Sequence, residues 1–432
     1  MTGSARPTPL CDLAPTLLLH GDYEKAKRVQ HRSLTLYEDL GNSLGRAHAL
    51  SALGNMLEAG GDYEEARSIG LRALAAFQAL GDRLGQANVL NSLGNVRGLT
   101  GDYEESAAYQ QRALALYEDL GNRHGQANAL HALGGGLLLT GDYEEAARYQ
   151  ERALALYEDF GSRHGQANVL NTQARTRQAV GDYEGAGRLH QQALALSEGL
   201  GDLPGQAMSL MVLGYIRYLT GDHTTAVRLE QRSLTLAQEI DNLPGQANAL
   251  LLLGIVRTAT QEYDESAALL KRALDLYERF GDRLGQANAL NNMGRLEHLT
   301  HGHARAAELI GRALDLYVEI GDREGQVDAW NNKGALFLAS ARPRQSLAAH
   351  SEALALAREI HFPLGEARAL EGISRCRALP AEHDLALGEL RQALALYQRI
   401  GVAEAAPAAA RLRALEGGDG DGASGRREGT AG

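Results

Sequence analysis

The sequence is poor in the residues from which reactive centres are built. Its 432 residues include two cysteines, Cys11 and Cys376, near opposite ends of the chain. No disulfide is expected between them, and such cysteine use is that of a cytosolic protein. The four lysines, Lys25, Lys27, Lys271 and Lys333, never follow a glycine, which excludes the G-K-[ST] loop that cradles phosphates. G-x-S-x-G, H-E-x-x-H and C-x-x-C are also absent, so no nucleophile elbow, zincin helix or dithiol centre is expected. No apolar run reaches the roughly 18 residues of a membrane span, and no signal-peptide core stands at the start. A cytoplasmic location, no cofactor and no catalytic site are expected. The net charge of −11 and pI near 5.7 argue against nucleic acid or an anionic membrane as a direct partner. His298, His301 and His303 form the only histidine cluster, but no cysteine or tight carboxylate set completes three or four ligands. It reads as a polar turn, with no metal site.

What the chain has in abundance is itself. Gly101–Thr140, GDYEESAAYQQRALALYEDLGNRHGQANALHALGGGLLLT, recurs forty residues on and forty residues back. The small residue after each GDYEE-type turn falls at Ala26, Ala66, Ser106, Ala146, Ala186, Ala226, Ser266, Ala306, Ser346 and Ala386. A fixed period of this size means stacked supersecondary units. Each unit predicts two helices. In the GDYEE helix Tyr143, Ala146, Tyr149, Ala153, Leu154 and Tyr157 follow the spacing of one buried helical face. Asp142 with Glu145, Asp62 with Glu65 and Asp102 with Glu105 predict capping boxes, and Gly161 a C-terminal stop. The partner helix is predicted over Gly165–Arg177, or Gly85–Leu99 in cleaner copies.

Leu90, Leu93, Gly94 and Arg97, followed by Tyr103, Ser106, Ala113 and Leu114, resemble the tetratricopeptide pattern. Leucine usually replaces its tryptophan, Gln110 stands where an aromatic is expected, and the closing proline is missing. The unit is instead extended from 34 residues to 40. That length resembles the Pins-type polarity adaptors and the repeat arms of actinobacterial regulators, and the arginine-for-lysine bias reads as that of a GC-rich genome. The resemblance implies an all-α, right-handed α-solenoid (superhelix) of tandem helix-turn-helix repeats. A degenerate half-repeat is expected over 1–43, broken by Pro7, Pro9 and Pro15. Nine complete helix pairs are expected over 44–400, a capping helix over 401–416 and a disordered tail over 417–432. Gly94 and its equivalents Gly54, Gly134, Gly214, Gly254, Gly294 and Gly334 should let paired helices approach closely.

The resemblance places the first helix of each pair on the concave side, with positions such as 88, 91, 95 and 98 facing inward on one stripe. The candidate groove reads Asn88, Asn91 and Asn95, then Asn128 and His131, then Asn168, Asn171 and Arg175. It continues through Met208, Met211, Tyr215 and Tyr218 to Asn248, Leu251 and Ile255, and ends with Asn288, Asn291, Arg295 and Asn331. Asparagine is a mediocre helix former, so its recurrence needs a reason. Primary amides can bond the backbone of a bound segment, or each can bond a neighbouring helix. The Met/Tyr/Leu/Ile patch suits an adaptable apolar contact. It also suits a superhelix that closes on its own tail or on a second subunit. The expected function is a scaffold or sensor arm binding a peptide or helical segment of a protein partner. The alternative is a regulatory or oligomerisation arm working with an ATPase or DNA-binding regulator, and an enzyme with a site in the bore has no motif behind it.

Overall fold

A computed structural model describes residues 23–377 and 382–417. Readings that fall on the proline-rich opening, on Pro380 and on the tail beyond residue 417 lie outside the described residues. Those residues form twenty α-helices and no strand. The chain divides into two compact units, Met1–Thr176 and Arg177–Gly432. The first holds α1 (Tyr23–Asp39), α2 (Ser43–Gly60), α3 (Tyr63–Leu80), α4 (Arg83–Leu99), α5 (Tyr103–Asp119), α6 (Arg123–Thr140), α7 (Tyr143–Asp159) and most of α8 (Arg163–Ala179). The second holds α9 (Tyr183–Leu200), α10 (Leu203–Leu219), α11 (His223–Glu239), α12 (Leu243–Ala259), α13 (Tyr263–Phe280) and α14 (Arg283–Leu299). It continues with α15 (His303–Ile320), α16 (Arg323–Ala339), α17 (Pro343–Glu359), α18 (Pro363–Cys376), α19 (His383–Ile400) and α20 (Ala405–Gly417). Even-numbered helices from α2 to α18 open each pair, and odd-numbered ones close it.

Among the described residues a left-handed residue stands every twenty positions from Gly41 (φ 62°) to His361 (φ 55°), and again at Gly401 (φ 71°). Asp241, Gln261, His301, Ala341 and His361 adopt the same conformation without being glycine. The histidine cluster is therefore built around one of these turns, and burial with the neighbouring His303 and His301 charges holds His298 below its usual pKa.

The opening helices start two residues before the predicted Gly85 and Gly165. The reason is a cap the sequence reading did not assign: Asp82 Oδ1 accepts from Gly85 N at 2.9 Å, as Asn122 does from Gly125 N and Asp282 from Gly285 N. This satisfies a main-chain donor of the first turn. In the closing helices Asp102 and Asp142 accept from Glu105 N and Glu145 N. Asp62 does not cap its helix; its carboxylate takes the Tyr23 hydroxyl at 2.9 Å and Lys27 instead.

The G-Q-A motif that follows six of the caps joins one pair to the preceding one. A side chain at Gly125 would meet the Tyr117 ring at 2.3 Å, so only glycine lets that ring lie flat on the helix. Gln126 Nε2 donates to Tyr117 O at 3.1 Å, and Ala127 is fully buried. Within a pair, Gln110 fills the place of the expected aromatic. It is 1 % exposed, and its Nε2 donates to Asn91 O and Asn95 Oδ1 at 3.0 and 2.9 Å. Gln150 repeats the device with Gly134 O and Thr176.

At the same position in the second unit stands Glu230, fully buried, with neither carboxylate oxygen hydrogen-bonded among the described residues. The asparagines that would have met it are replaced by Met211 and Tyr215. Burial pushes its pKa well above the usual carboxylate value and so favours the neutral acid in the folded protein.

The second unit also closes on itself. Ala403 N donates to Leu219 O at 2.8 Å, linking the turn after α19 to the end of α10. Ile400 is 4 % exposed, and a side chain at Gly181 would come within 2.5 Å of its Cγ2. A solenoid repeat ordinarily touches only its neighbours, so this is a contact of the unit's end with its beginning.

Two outcomes are expected. Gly294→Leu should destabilise the second unit by about 1–3 kcal/mol through overpacking. A Cβ there would lie 2.6 Å from Ile310 Cγ1 and 3.2 Å from Ile310 N; a denaturant melt equal to the parent's would refute the tight pairing. Glu230→Gln should stabilise by about 1–3 kcal/mol at neutral pH, by removing a buried acid without a partner. A raised carboxyl pKa contributes stability present below the unfolded value near 4.5 and lost as pH rises above it. The gain should therefore grow from pH 5 to pH 8, and a gain that is flat across that range would contradict the buried neutral acid.

Candidate functional site

The opening helices touch one another as well as their partners: α10 meets α12, α14 meets α16, and α16 meets α18. They form an inner layer on which the asparagine stripe lies. In the first unit Tyr117 donates its hydroxyl to Asn88 Oδ1 at 2.8 Å, and Tyr157 to Asn128 Oδ1 at 2.5 Å. In the second, Tyr277 and Tyr317 do the same to Asn248 and Asn288 at 2.6 and 2.7 Å. Each tyrosine lies 29 residues after its asparagine, in the closing helix of the same pair. The hydroxyl occupies the amide oxygen, and in Asn128 the amide nitrogen also meets His124 Nδ1 at 3.3 Å.

This explanation for the recurring asparagine was readable in the repeats. Position 208 is Met where position 237 is Ala, and His48 faces Phe77 with ring centroids 5.1 Å apart. Asn168 is the exception, paired in register with Ser197.

The other first-unit positions sit on the same layer. Asn95 Oδ1 takes Gln110, while Asn91 Oδ1 is shielded from solvent without a partner. His131 Nε2 and Thr172 Oγ1 meet at 2.9 Å, bridging α6 and α8, and burial holds the His131 pKa below its usual value. Asn171 is buried, and Asn168 and Arg175 are exposed.

The second unit gathers the stripe around a cavity of about 260 Å³. Tyr215, Tyr218, Ile255, Asn291, Arg295 and Asn331 line it, together with Asn292, Asp328, Asn332, Arg368 and Glu404. Met208, Met211, Asn248, Leu251 and Asn288 do not line it. Met208 is 43 % exposed, and Leu251 is buried in the core with Leu250 and Tyr277. The Tyr215 and Tyr218 rings are 6.3 Å apart, and burial raises the Tyr215 hydroxyl pKa.

Charge in the cavity centres on Arg368. Burial works against its charge, but Asp328 at 3.6 Å and Glu404 at 2.8 Å hold its pKa well above the ordinary value. Asp328 is raised by burial, with Arg368 and Arg295 pulling it back down. A second cavity, of about 440 Å³, shares Asn331, Asn332, Arg368 and Glu404 with the first. There Tyr397 donates to Glu371, which pairs with Arg375, and burial holds the His350 pKa down at about 4.

Glu404 reaches the cavity because of the Ala403–Leu219 contact. Glu404 thus stands in the cavity lining with Tyr215 and Tyr218. Sequence reasoning had no register position for Glu404, since it follows the last repeat. Among the described residues no group of three His, Cys, Asp or Glu side chains is arranged to hold a metal ion.

Tandem helix pairs with an inner polar stripe and a cavity behind it define a repeat protein of the α-solenoid class. The sequence profile of the tetratricopeptide repeat family matches residues 7–79, 85–159, 165–239 and 245–318, and the chain belongs to that family. No curated protein sequence matches it. Its fold is similar to that of apo RapI (15 % identity, TM-score 0.55, covering 64 % of this chain and 98 % of that one). It is also similar to the apo quorum sensor NprR from B. thuringiensis (15 %, 0.56, 80 % and 97 %). Aspartyl phosphate phosphatase F from Bacillus subtilis shares the fold as well (11 %, 0.57, 85 % and 97 %).

The tyrosine–asparagine pair should be measurable. Tyr277→Phe is expected to cost about 1 kcal/mol, the net worth of one hydrogen bond. In a double-mutant cycle with Asn248→Ala, the second change should then cost less than it does alone. Additive losses would show that the bond does not hold in solution.

Proposed function

We propose that this chain is an interaction protein, a scaffold or sensor arm, that binds a peptide or protein segment on the inner layer of its second unit. The observation that carries this reading is the 260 Å³ cavity, where two tyrosines and Ile255 face four asparagines and an ion pair. A formed cavity with convergent polar groups is the usual form of a binding site, and eight of the eleven side chains lining this one are amide or charged. The amides suit a backbone, since each donates and accepts, and Tyr215 and Tyr218 suit a large apolar side chain. NprR, which shares the fold, is a quorum sensor, and a sensor arm is compatible with the same architecture. Nothing in the cavity supplies a nucleophile beside a base, so binding rather than turnover is the reading supported.

Affinity capture with the full chain, followed by mass spectrometry, would identify the partner. Tyr215→Ala together with Tyr218→Ala, both in the cavity lining, should weaken that partner by ~2–4 kcal/mol, because binding energy concentrates where aromatic side chains exclude water. Asn91→Ala, in the first unit, should cost about 1 kcal/mol or less. Titration of each variant, with melting curves as controls, decides the matter. Undiminished binding by the double variant, or loss that follows unfolding alone, would place the site elsewhere.

A further inference from the structure

Register positions that face solvent in other repeats are covered where the second unit meets its own end. Leu219 is 2 % exposed, whereas Leu99, at the same place in its repeat, is 58 % exposed and Leu139 54 %. Ile400 is 4 % exposed, against 41 % for Leu120 and 43 % for Leu200. Tyr183 is buried, while Tyr63, Tyr103 and Tyr143 are half-buried. A side chain at Gly181 or Gly221 would strike Ile400 or Ala403, whereas one at Gly101 or Gly141 would meet nothing within 4 Å.

The cause is one altered cap. Elsewhere the residue after the left-handed glycine is Asp82, Asn122 or Asp202, whose side chain opens the next helix. After Gly401 that place is taken by Val402, which has no side-chain acceptor to offer. Helix α20 starts at Ala405, two residues later than the register of α4 and α6. Val402 is buried instead of capping, and the Ala403 N–H donates across the seam to Leu219 O at 2.8 Å. Glu404, next in the chain, pairs with Arg368 at 2.8 Å.

Every helix pair keeps its own packing and that of its neighbours whether or not this seam is made. The seam can therefore break without unfolding a repeat, an opening of the local kind that folded proteins undergo. We propose that residues 400–404 are a clasp, and that the folded second unit exchanges between a clasped form and an open form in which this turn has left Gly181 and Leu219. A binder that favours either form shifts the balance between them, so the clasp is the point at which the conformation of the unit is regulated. This holds whatever the cavity binds.

Double electron–electron resonance on the full chain tests the clasp. Cys11→Ser and Cys376→Ser remove the native thiols, and nitroxides are placed on Gln231→Cys and Gln398→Cys, both at exposed positions. The parent should give a dominant short distance and a minor long one. Ala403→Pro removes the donor to Leu219 O and should raise the long-to-short ratio about fivefold, the effect of one lost hydrogen bond. Gly181→Asn sets a side chain against Ile400 with a residue that tolerates the left-handed backbone, and should raise the ratio as much or more. Gly141→Asn and Ala405→Pro make the same kinds of change away from the seam and should leave it unaltered. Helix content by circular dichroism should be equal in all of them.

Distances that neither Ala403→Pro nor Gly181→Asn alters would make the seam a fixed part of the fold. Controls that shift the ratio as far, or lengthening that comes only with lost helix, would make the response one of general loosening. Each of these results overturns the clasp.

Discussion

The constraint on which the rest depends is the left-handed turn residue every twenty positions. It fixes each helix at about five turns, so that a given register position returns to the same face of the stack in every unit. Only under that condition can an inner stripe exist. The helices have little need of intrinsic propensity, because each gains its stability from the neighbour it packs against. Buried alanines and glycines at the crossings set the distance. The cap, the glycine under the aromatic ring and the glutamine onto a main-chain carbonyl set the angle. Each of these contacts is local to one pair or to adjacent pairs, which is why the pattern tolerates so much substitution between repeats.

Where the second unit departs from its own consensus, the departures cluster. Among the described residues, the five left-handed residues other than glycine, Asp241, Gln261, His301, Ala341 and His361, all lie there. So do the buried acid Glu230 and the unpaired Arg295. A consensus repeat bonds the first inner asparagine internally, to the tyrosine of its closing helix. Replacing Asn and Tyr with Met208 and Ala237, and Asn95 and Gln110 with Tyr215 and Glu230, gives up those bonds. Local rules are commonly broken at functional sites, and the cavity opens beside these substitutions.

The period, the helix pairs and the inner stripe were legible because they rest on local chemistry repeated ten times over. The caps at Asp82 and its equivalents, and the 29-residue pairing of Asn with Tyr, were equally present but need two helices to be read together. The role of Gln110 was misleading for a different reason. An amide at an expected aromatic position signals a departure, and only the geometry shows it bonding a carbonyl across the pair. Glu404 and the Ala403–Leu219 contact had no signal at all. They arise from curvature accumulated over many repeats, a sum of small rotations that no single residue encodes.

That accumulated curvature decides how the cavity is used. Asn331, Asn332, Arg368 and Glu404 border both cavities, so the Arg368–Glu404 pair lies on the wall between them. Arg368 belongs to the last opening helix, α18, and Glu404 to the segment that returns to α10. The partition therefore exists only while the unit is closed. Charges held in a partly desolvated pair attract strongly and are costly to separate, so the same pair that divides the space also resists its opening. A segment of the kind proposed, seated in the smaller cavity, would meet that pair, and its length there would be limited by the closure of the chain rather than by the repeat.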